Sequence, residues 1–238
     1  VSLHSFEPDG SAVLIGASGG VGGALLAQLR GDPAFVTVAG LARSFDGGAR
    51  IDITDEASII AAAAGLTAPL RLVIVATGAL QGPGFPQPEK SYRGLDPMAL
   101  MESFRVNTVG PALVAKHLLP LMAPRGKTVF AALSARVGSI GDNRAGGWHA
   151  YRASKTALNM ILRNLAIEVG RRNPEAICVG LHPGTVDTGL SRPFQRGLPE
   201  GQLFTPETSA RHLLTVIDGL QAADSGNVLA WDGRTVPP

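Results

Sequence analysis

The chain predicts an α/β fold: one domain built on a doubly wound parallel sheet with helices on both faces. Three observations carry that reading. Short apolar runs alternate with helical patterns from one end to the other. The first apolar run breaks into a glycine cluster that opens a helical pattern. At 238 residues, 45% of them hydrophobic, the chain can bury one sizeable core, so residues 1–238 are read as a single domain.

The strand runs expected from the pattern are 12–17, 35–42, 72–77, 127–133, 176–182 and 227–231. Helical stretches are expected from Gly20, Asp55, Pro97, Ala150 and Pro206. Asp96-Pro97 and Thr205-Pro206 each set a capping side chain before a proline, which suits a helix start because proline at the first position loses no needed N–H. Residues 81–88 and 191–202 read as long loops. Ligands of an open parallel sheet sit beyond the carboxyl ends of its strands, so these loops are candidate substrate walls. No internal repeat or low-complexity tract interrupts the pattern.

In the first turn, Val13-Leu14-Ile15 runs into Gly16-Ala17-Ser18-Gly19-Gly20-Val21-Gly22-Gly23 and then Ala24-Leu25-Leu26. Strand, glycine turn and helix make an anion seat: glycines admit a close backbone approach, and the helix N-terminus offers unpaired N–H groups and partial positive charge. A Gly-Lys-Ser/Thr phosphate loop is excluded, because no lysine precedes Lys90. The spacing Gly-x-x-x-Gly-x-Gly also differs from the dinucleotide pattern Gly-x-Gly-x-x-Gly.

Tyr151 and Lys155 stand four residues apart at the head of a long amphipathic stretch, so a helix sets phenol beside ammonium. A phenol of reference pKa about 10 is a poor acid near neutrality, and a fixed cation a few ångströms away is expected to lower that value.

Glycine cluster and Tyr-x-x-x-Lys pair, in this order, resemble the short-chain dehydrogenase/reductase family over nearly the whole chain. The tract from Ser134-Ala135-Arg136-Val137-Gly138-Ser139-Ile140 to Tyr151-Arg152-Ala153-Ser154-Lys155 is most similar to its carbonyl-reductase-like subgroup, with the C-factor and Sniffer-type proteins. The resemblance implies a Rossmann-like fold and hydride transfer between a nicotinamide and a carbonyl or alcohol carbon, with Tyr151 as general acid and Lys155 also on the nicotinamide ribose. It implies cofactor contacts from Gly16, Ser18, Gly20, Val21 and Gly22, and from Pro183, Gly184, Val186 and Thr188 in His182-Pro183-Gly184-Thr185-Val186-Asp187-Thr188. Asn107 matches a proton-relay asparagine that would hold a water near the lysine.

The second strand run ends at Arg43-Ser44 with no acid there to bind an adenosine ribose, whereas a guanidinium suits a 2′-phosphate. NADP is therefore expected over NAD. Asp52, with Ile53 beside it, matches the family's adenine-contacting aspartate; Thr54 and Asp55 already supply the helix cap.

Two positions depart from the family pattern. Val75-Ala76-Thr77-Gly78 stands where Asn-Asn-Ala-Gly is usual, which leaves backbone contacts from Ala76 and Gly78. Where the family commonly has Ser-Ser-x-x-Gly with its second serine catalytic, counting back from Gly138 gives Ala135. Ser134, one residue earlier, is the hydroxyl expected to hold the carbonyl oxygen, with Ser139 a further candidate. These departures keep open a second function, an NAD(P)-binding signalling or regulatory protein of the C-factor type with little or no turnover.

Composition sets the remaining expectations. The formal net charge of +2 comes from scattered arginines without a basic run and interleaved aromatics, so nucleic acid is not expected as a partner. Cys178 is the only cysteine and lies in an apolar strand run, which makes it core rather than a reactive thiol. His117, His149 and His182 have no metal-ligand spacing with acidic or cysteine partners, so no metal site is expected. No signal-like or membrane-length apolar run is seen, and a cytoplasmic protein is expected. Phe85, Trp148, Phe194 and Phe204 near loop positions point to a small apolar aldehyde or ketone. The family's habit of pairing through long helices makes a homodimer or homotetramer an expectation.

Overall fold

The computed structural model describes residues 2–81, 87–195, 199 and 201–238. Six strands form one parallel sheet: β1 (Gly10–Ile15), β2 (Phe35–Leu41), β3 (Leu70–Val75), β4 (Thr128–Leu133), β5 (Ala176–His182) and the short β8 (Val228–Ala230). Their spatial order is β2-β1-β3-β4-β5-β8. A separate two-stranded parallel ladder joins β6 (Thr185–Val186) to β7 (Leu203–Phe204). The doubly wound α/β sheet read from the sequence is the observed one.

The strands are apolar almost throughout because both sheet faces are covered. On one face α1 (Gly20–Leu29) and α6 (Pro206–Gly219) pack over Leu14, Ile74 and Val179, burying Leu25, Leu213 and Ile217. On the other, α2 (Glu56–Ala64), α4 (Gly110–Leu118) and α5 (His149–Gly170) pack over Ile15, Val73 and Phe130, burying Ile59, Leu118 and Leu158. Each fully buried aliphatic side chain contributes roughly 1.5–3 kcal/mol. Cys178 belongs to this second core, the place expected for it, and burial there pushes its thiol up to about 12.

Two corrections concern element limits. Strands β1 and β3 end two residues earlier than 17 and 77. The apolar run carries on into residues that have left the ladder: Gly16 turns to φ +91°, and Ala76 retains only its N–H bond to Ile15 O. The helix from Pro97 also does not end where α3 (Pro97–Phe104) does. It passes through a π-helical turn at Arg105–Val109 directly into α4.

Because β1 has β2 on one side and β3 on the other, the chain reverses its winding beside β1. A crevice opens there at the carboxyl ends of the strands, the usual ligand position in such sheets. Among the described residues no helix is long and apolar enough to cross a membrane.

Candidate active site

At the head of the crevice the glycines are required by contact as much as by conformation. A Cβ at Gly22 would stand 2.1 Å from Gly16 O, and one at Gly16 2.8 Å from Ala76 O. The turn is thereby pressed against the end of β3. Helix α1 starts at Gly20 with Gly19 as N-cap and no side-chain cap. Its first-turn N–H groups consequently face the crevice without a side-chain acceptor, and an anion is the natural complement.

Tyr151, Lys155 and Asn159 follow one another at four-residue intervals along α5. The Lys155 ammonium is buried and donates to Leu133 O at 2.7 Å, and burial lowers its pKa to about 8. Tyr151 is half-buried at the cavity wall, and burial pushes its phenol up to about 12. This corrects the expectation of a lowered value. The Lys155 Nζ stands over the ring, 5.9 Å from its centroid, and the shift comes from the phenol's lost solvation.

Trp148 opens α5 in the left-handed region, at φ 51° and ψ 42°. Its N–H donates to Glu89 O at 2.6 Å, and its ring meets the Tyr151 ring edge-on at 6.4 Å.

Asn107 sits in the π-helical turn, fully buried. Its Oδ1 accepts from Ala79 N at 2.9 Å, and its Nδ2 donates to Ala79 O at 2.8 Å. The same Nδ2 lies 3.2 Å from both Ser103 Oγ and Ser154 Oγ. The amide thus clamps the loop after β3 onto α5. Gly78 lies between this clamp and the lysine: a Cβ there would stand 3.3 Å from Lys155 Nζ and 3.5 Å from Asn107 Oδ1. Asn107 Oδ1 accepts one hydrogen bond among the described residues, which leaves its second lone pair on the side of Lys155.

The serine expectation meets a complication. Ser134 Oγ donates its single proton to Asn159 Oδ1 at 2.6 Å. In this arrangement it has no donor left for a carbonyl oxygen. Ser139 is buried outside the cavity, accepting from Asp142 N at 3.0 Å and donating to Pro238 O at 3.4 Å.

Nearer the adenine end, Arg43 is exposed two residues beyond β2. Asp52 accepts from Thr54 N at 2.9 Å and Thr54 Oγ1 at 2.7 Å, while Asp55 caps α2, as expected. Partial burial works to raise the Asp52 pKa. The Thr54 hydrogen bonds and the charges of Arg43 and Arg105 outweigh it and hold the carboxyl below its usual range. Ile53 is buried in the core, so only its backbone can meet a ligand.

A cavity of about 590 Å³ brings together Gly20, Val21, Gly22, Ala76, Gly78, Ser134, Tyr151, Lys155, Pro183, Gly184, Val186 and Thr188. Gly16, Ser18, Arg43, Asp52, Ile53 and Asn107 lie outside its lining. Its wall also holds residues the sequence reading passed over, chiefly Thr77, Arg136 and His182. His182 had a signal, its place immediately before Pro183. Of the four loop aromatics, Trp148 lines the cavity and Phe204 packs on His212 and Trp231 instead. Phe85 and the Phe194 side chain lie outside what the structure describes. Among the described residues no group of three or more His, Cys, Asp or Glu could hold a metal ion.

Residues 11–198 match the sequence profile of the short chain dehydrogenase family. Over 139 residues, 58% of this chain, the sequence is 36% identical to C-signal of Myxococcus xanthus, spanning 78% of that protein. It is 34% identical to a 1-hydroxy-2-glutathionyl-2-methyl-3-butene dehydrogenase of Rhodococcus sp., a match that spans 58% of each chain. The chain therefore covers little more than half the length of that second relative. Among solved structures, an NADPH-bound carbonyl reductase from chicken fatty liver superposes at a TM-score of 0.82 with 25% identity, over 99% of this chain and 97% of that one. Carbonyl reductase Sniffer of D. melanogaster superposes at 0.79 with 22% identity over 96% and 99%, a likeness of fold.

Proposed function

The chain belongs to the short-chain dehydrogenase family, and from that premise we propose that it is an NADPH-dependent oxidoreductase that reduces an aldehyde or ketone to an alcohol. One observation carries the reading: Tyr151 and Lys155 share a single cavity with the uncapped start of α1 and the Pro183–Thr188 segment.

The cradle suits a dinucleotide because the uncapped start of α1 faces the cavity, while Cβ atoms at Gly20 and Gly22 would meet the protein itself, 2.7 Å from Thr188 Cγ2 and 2.1 Å from Gly16 O. In this reading Gly16 and Ser18 shape the turn and the N–H groups of Gly20, Val21 and Gly22 hold the pyrophosphate. Arg43 holds the 2′-phosphate, and Asp52 with the Ile53 backbone meets the adenine. Ala76, Gly78, Pro183, Gly184, Val186 and Thr188 border the nicotinamide end. When bound, the nicotinamide supplies the hydride. Tyr151, protonated at neutral pH, gives its proton to the alkoxide oxygen formed at the carbonyl carbon. Lys155 then faces a phenolate, whose charge favours the protonated ammonium. Asn107 fixes the loop beneath Lys155.

A panel of short aliphatic and aryl aldehydes and ketones, assayed with NADPH and with NADH, tests this. Consumption of NADPH with stoichiometric alcohol is the expected result; its absence across the panel overturns the reading. A second reading, an NADP-binding regulatory protein without turnover, is favoured by Ala135 at the family's serine position and by the engagement of Ser134 with Asn159. Tight NADPH binding with no carbonyl reduced would select it.

A further inference from the structure

The engagement of Ser134 leaves the carbonyl oxygen with Tyr151 and no serine donor at the end of β4, and the neighbouring strand carries a group that can fill the role. Leu133 and Leu181 are register partners at the ends of β4 and β5, and Ser134 N donates to Leu181 O at 2.8 Å. The next positions, Ser134 and His182, therefore stand side by side on one face of the sheet. Ser134 reaches Asn159 on α5, so this is the face that carries Tyr151 and Lys155. His182 lines the same cavity as Tyr151 and Ala135. It also forms part of the wall of a second cavity of about 390 Å³, shared with Arg136, Asp232 and Arg234.

Of the two ring nitrogens, Nδ1 is shut in and has no hydrogen-bond partner among the described residues, so Nε2 is the one left to meet a ligand. No described residue accepts a proton from Nδ1. The tautomer is set by the hydrogen bond each nitrogen can make, and the N–H therefore belongs on Nε2. Burial first, and then the nearby Arg136 charge, lower the ring's pKa to about 4, so it is a neutral donor at neutral pH.

Resting on the carbonyl-reductase reading above, we propose that His182 donates, through Nε2–H, the hydrogen bond to the developing alkoxide oxygen that Ala135 and the engaged Ser134 do not give. His182 is then a catalytic residue that touches substrate. No proton leaves it: Tyr151 supplies the proton and the imidazole stabilises the charge.

The test compares His182→Leu, His182→Gln and the double variant His182→Leu/Ala135→Ser, each with NADPH and the best carbonyl of the panel. Losing the donor should lower turnover by roughly ten- to a hundredfold, with NADPH affinity by fluorescence titration changed by less than about twofold. His182→Gln, whose amide N–H reaches as far as Nε2, should keep most of the activity. A serine at 135 in the leucine background should recover roughly tenfold. Side-chain packing alone would not be restored by that serine. Turnover that survives His182→Leu, or a loss that neither glutamine nor serine repairs, overturns the proposal while leaving the carbonyl-reductase reading intact. Failure of the unmodified protein to reduce any carbonyl overturns both.

Discussion

Lys155 Nζ donates a 2.7 Å hydrogen bond to the carbonyl of Leu133, the last residue of β4. This one bond ties the reactive face of α5 to the strand end that floors the cavity, and it is the only hydrogen bond of that buried ammonium among the described residues. A cation with so little solvation is costly to keep charged.

That cost has a pH signature. The folded-state pKa of Lys155, about 8, lies below its ordinary value of 10.5. Between those values the unfolded chain holds more protons than the folded one, so stability should rise with pH through that window. Below about 8 the penalty is fully present. Lys127, also lowered to about 8 by burial, works in the same direction, whereas the raised Cys178 thiol and Tyr151 phenol work against it above about 9. Urea midpoints of the protein by itself should climb between about pH 8 and 9, below the range in which the unfolded Cys178 thiol ionises; in Lys155→Met that climb should shrink to the Lys127 share. A flat profile in the unmodified protein would contradict the buried charge.

Tyr151→Phe should lower carbonyl reduction by about a hundredfold or more, the usual size of a lost general acid, while NADPH binding stays nearly intact. Lys155→Ala should harm both. Near-normal turnover by the phenylalanine variant, measured from NADPH consumption, would refute the assigned proton donor.

Cofactor choice should reside in Arg43. NADPH is expected to bind more tightly than NADH by about 1–3 kcal/mol, the scale of a charge-assisted contact, and Arg43→Ala should erase most of that gap. Fluorescence titration decides it: equal affinities in the unmodified protein would remove Arg43 from the site.

For Asn107→Leu, the expected effect is on structure first. The clamp on both backbone groups of Ala79 is lost, together with the contacts to Ser103 and Ser154. Stability should fall by about 2–4 kcal/mol, because several buried polar groups lose partners together. Hydrogen exchange at the Ala79 amide should accelerate before global unfolding. Unchanged protection there would show that the clamp does not form.

Ser134→Ala should cost about 1 kcal/mol of stability, the value of one buried hydrogen bond, and reduce turnover by less than tenfold. A loss of a hundredfold or more would return the oxyanion role to Ser134, with its hydroxyl turning away from Asn159 during the reaction.

Periodicity disclosed the alternation of strands and helices, and the glycine cluster with the Tyr151–Lys155 pair located the crevice. These signals are local, carried by neighbours in the chain. What stayed hidden depends on partners far away in sequence. The early ends of β1 and β3 arise because Gly16 must pack against Ala76 O, a contact across the sheet. The π-helical turn around Asn107 leaves no trace in composition, since it serves a clamp on Ala79, 28 residues away. The serine register was legible as a conflict between Ser134 and Ala135, but only Asn159 shows where that hydroxyl points. Tyr151's shift had the wrong sign because spacing reveals a neighbouring charge and says nothing of the solvent both groups have lost.

Trp148 ends up with two duties that pull apart. As a bulky residue at φ 51° it holds a backbone shape that glycine would adopt freely and that costs an L-residue roughly 1–2 kcal/mol. As an aromatic edge against Tyr151 it shapes the mouth of the cavity. Anyone who widens this mouth by replacing Trp148 with glycine will at the same time relax the N-cap of α5. The redesigned protein gains that backbone relief, loses the ring's packing on Tyr151, and should hold its substrates less closely. Backbone strain and the shape of the cavity mouth are thus tied to one position, so a change made for either alters the other.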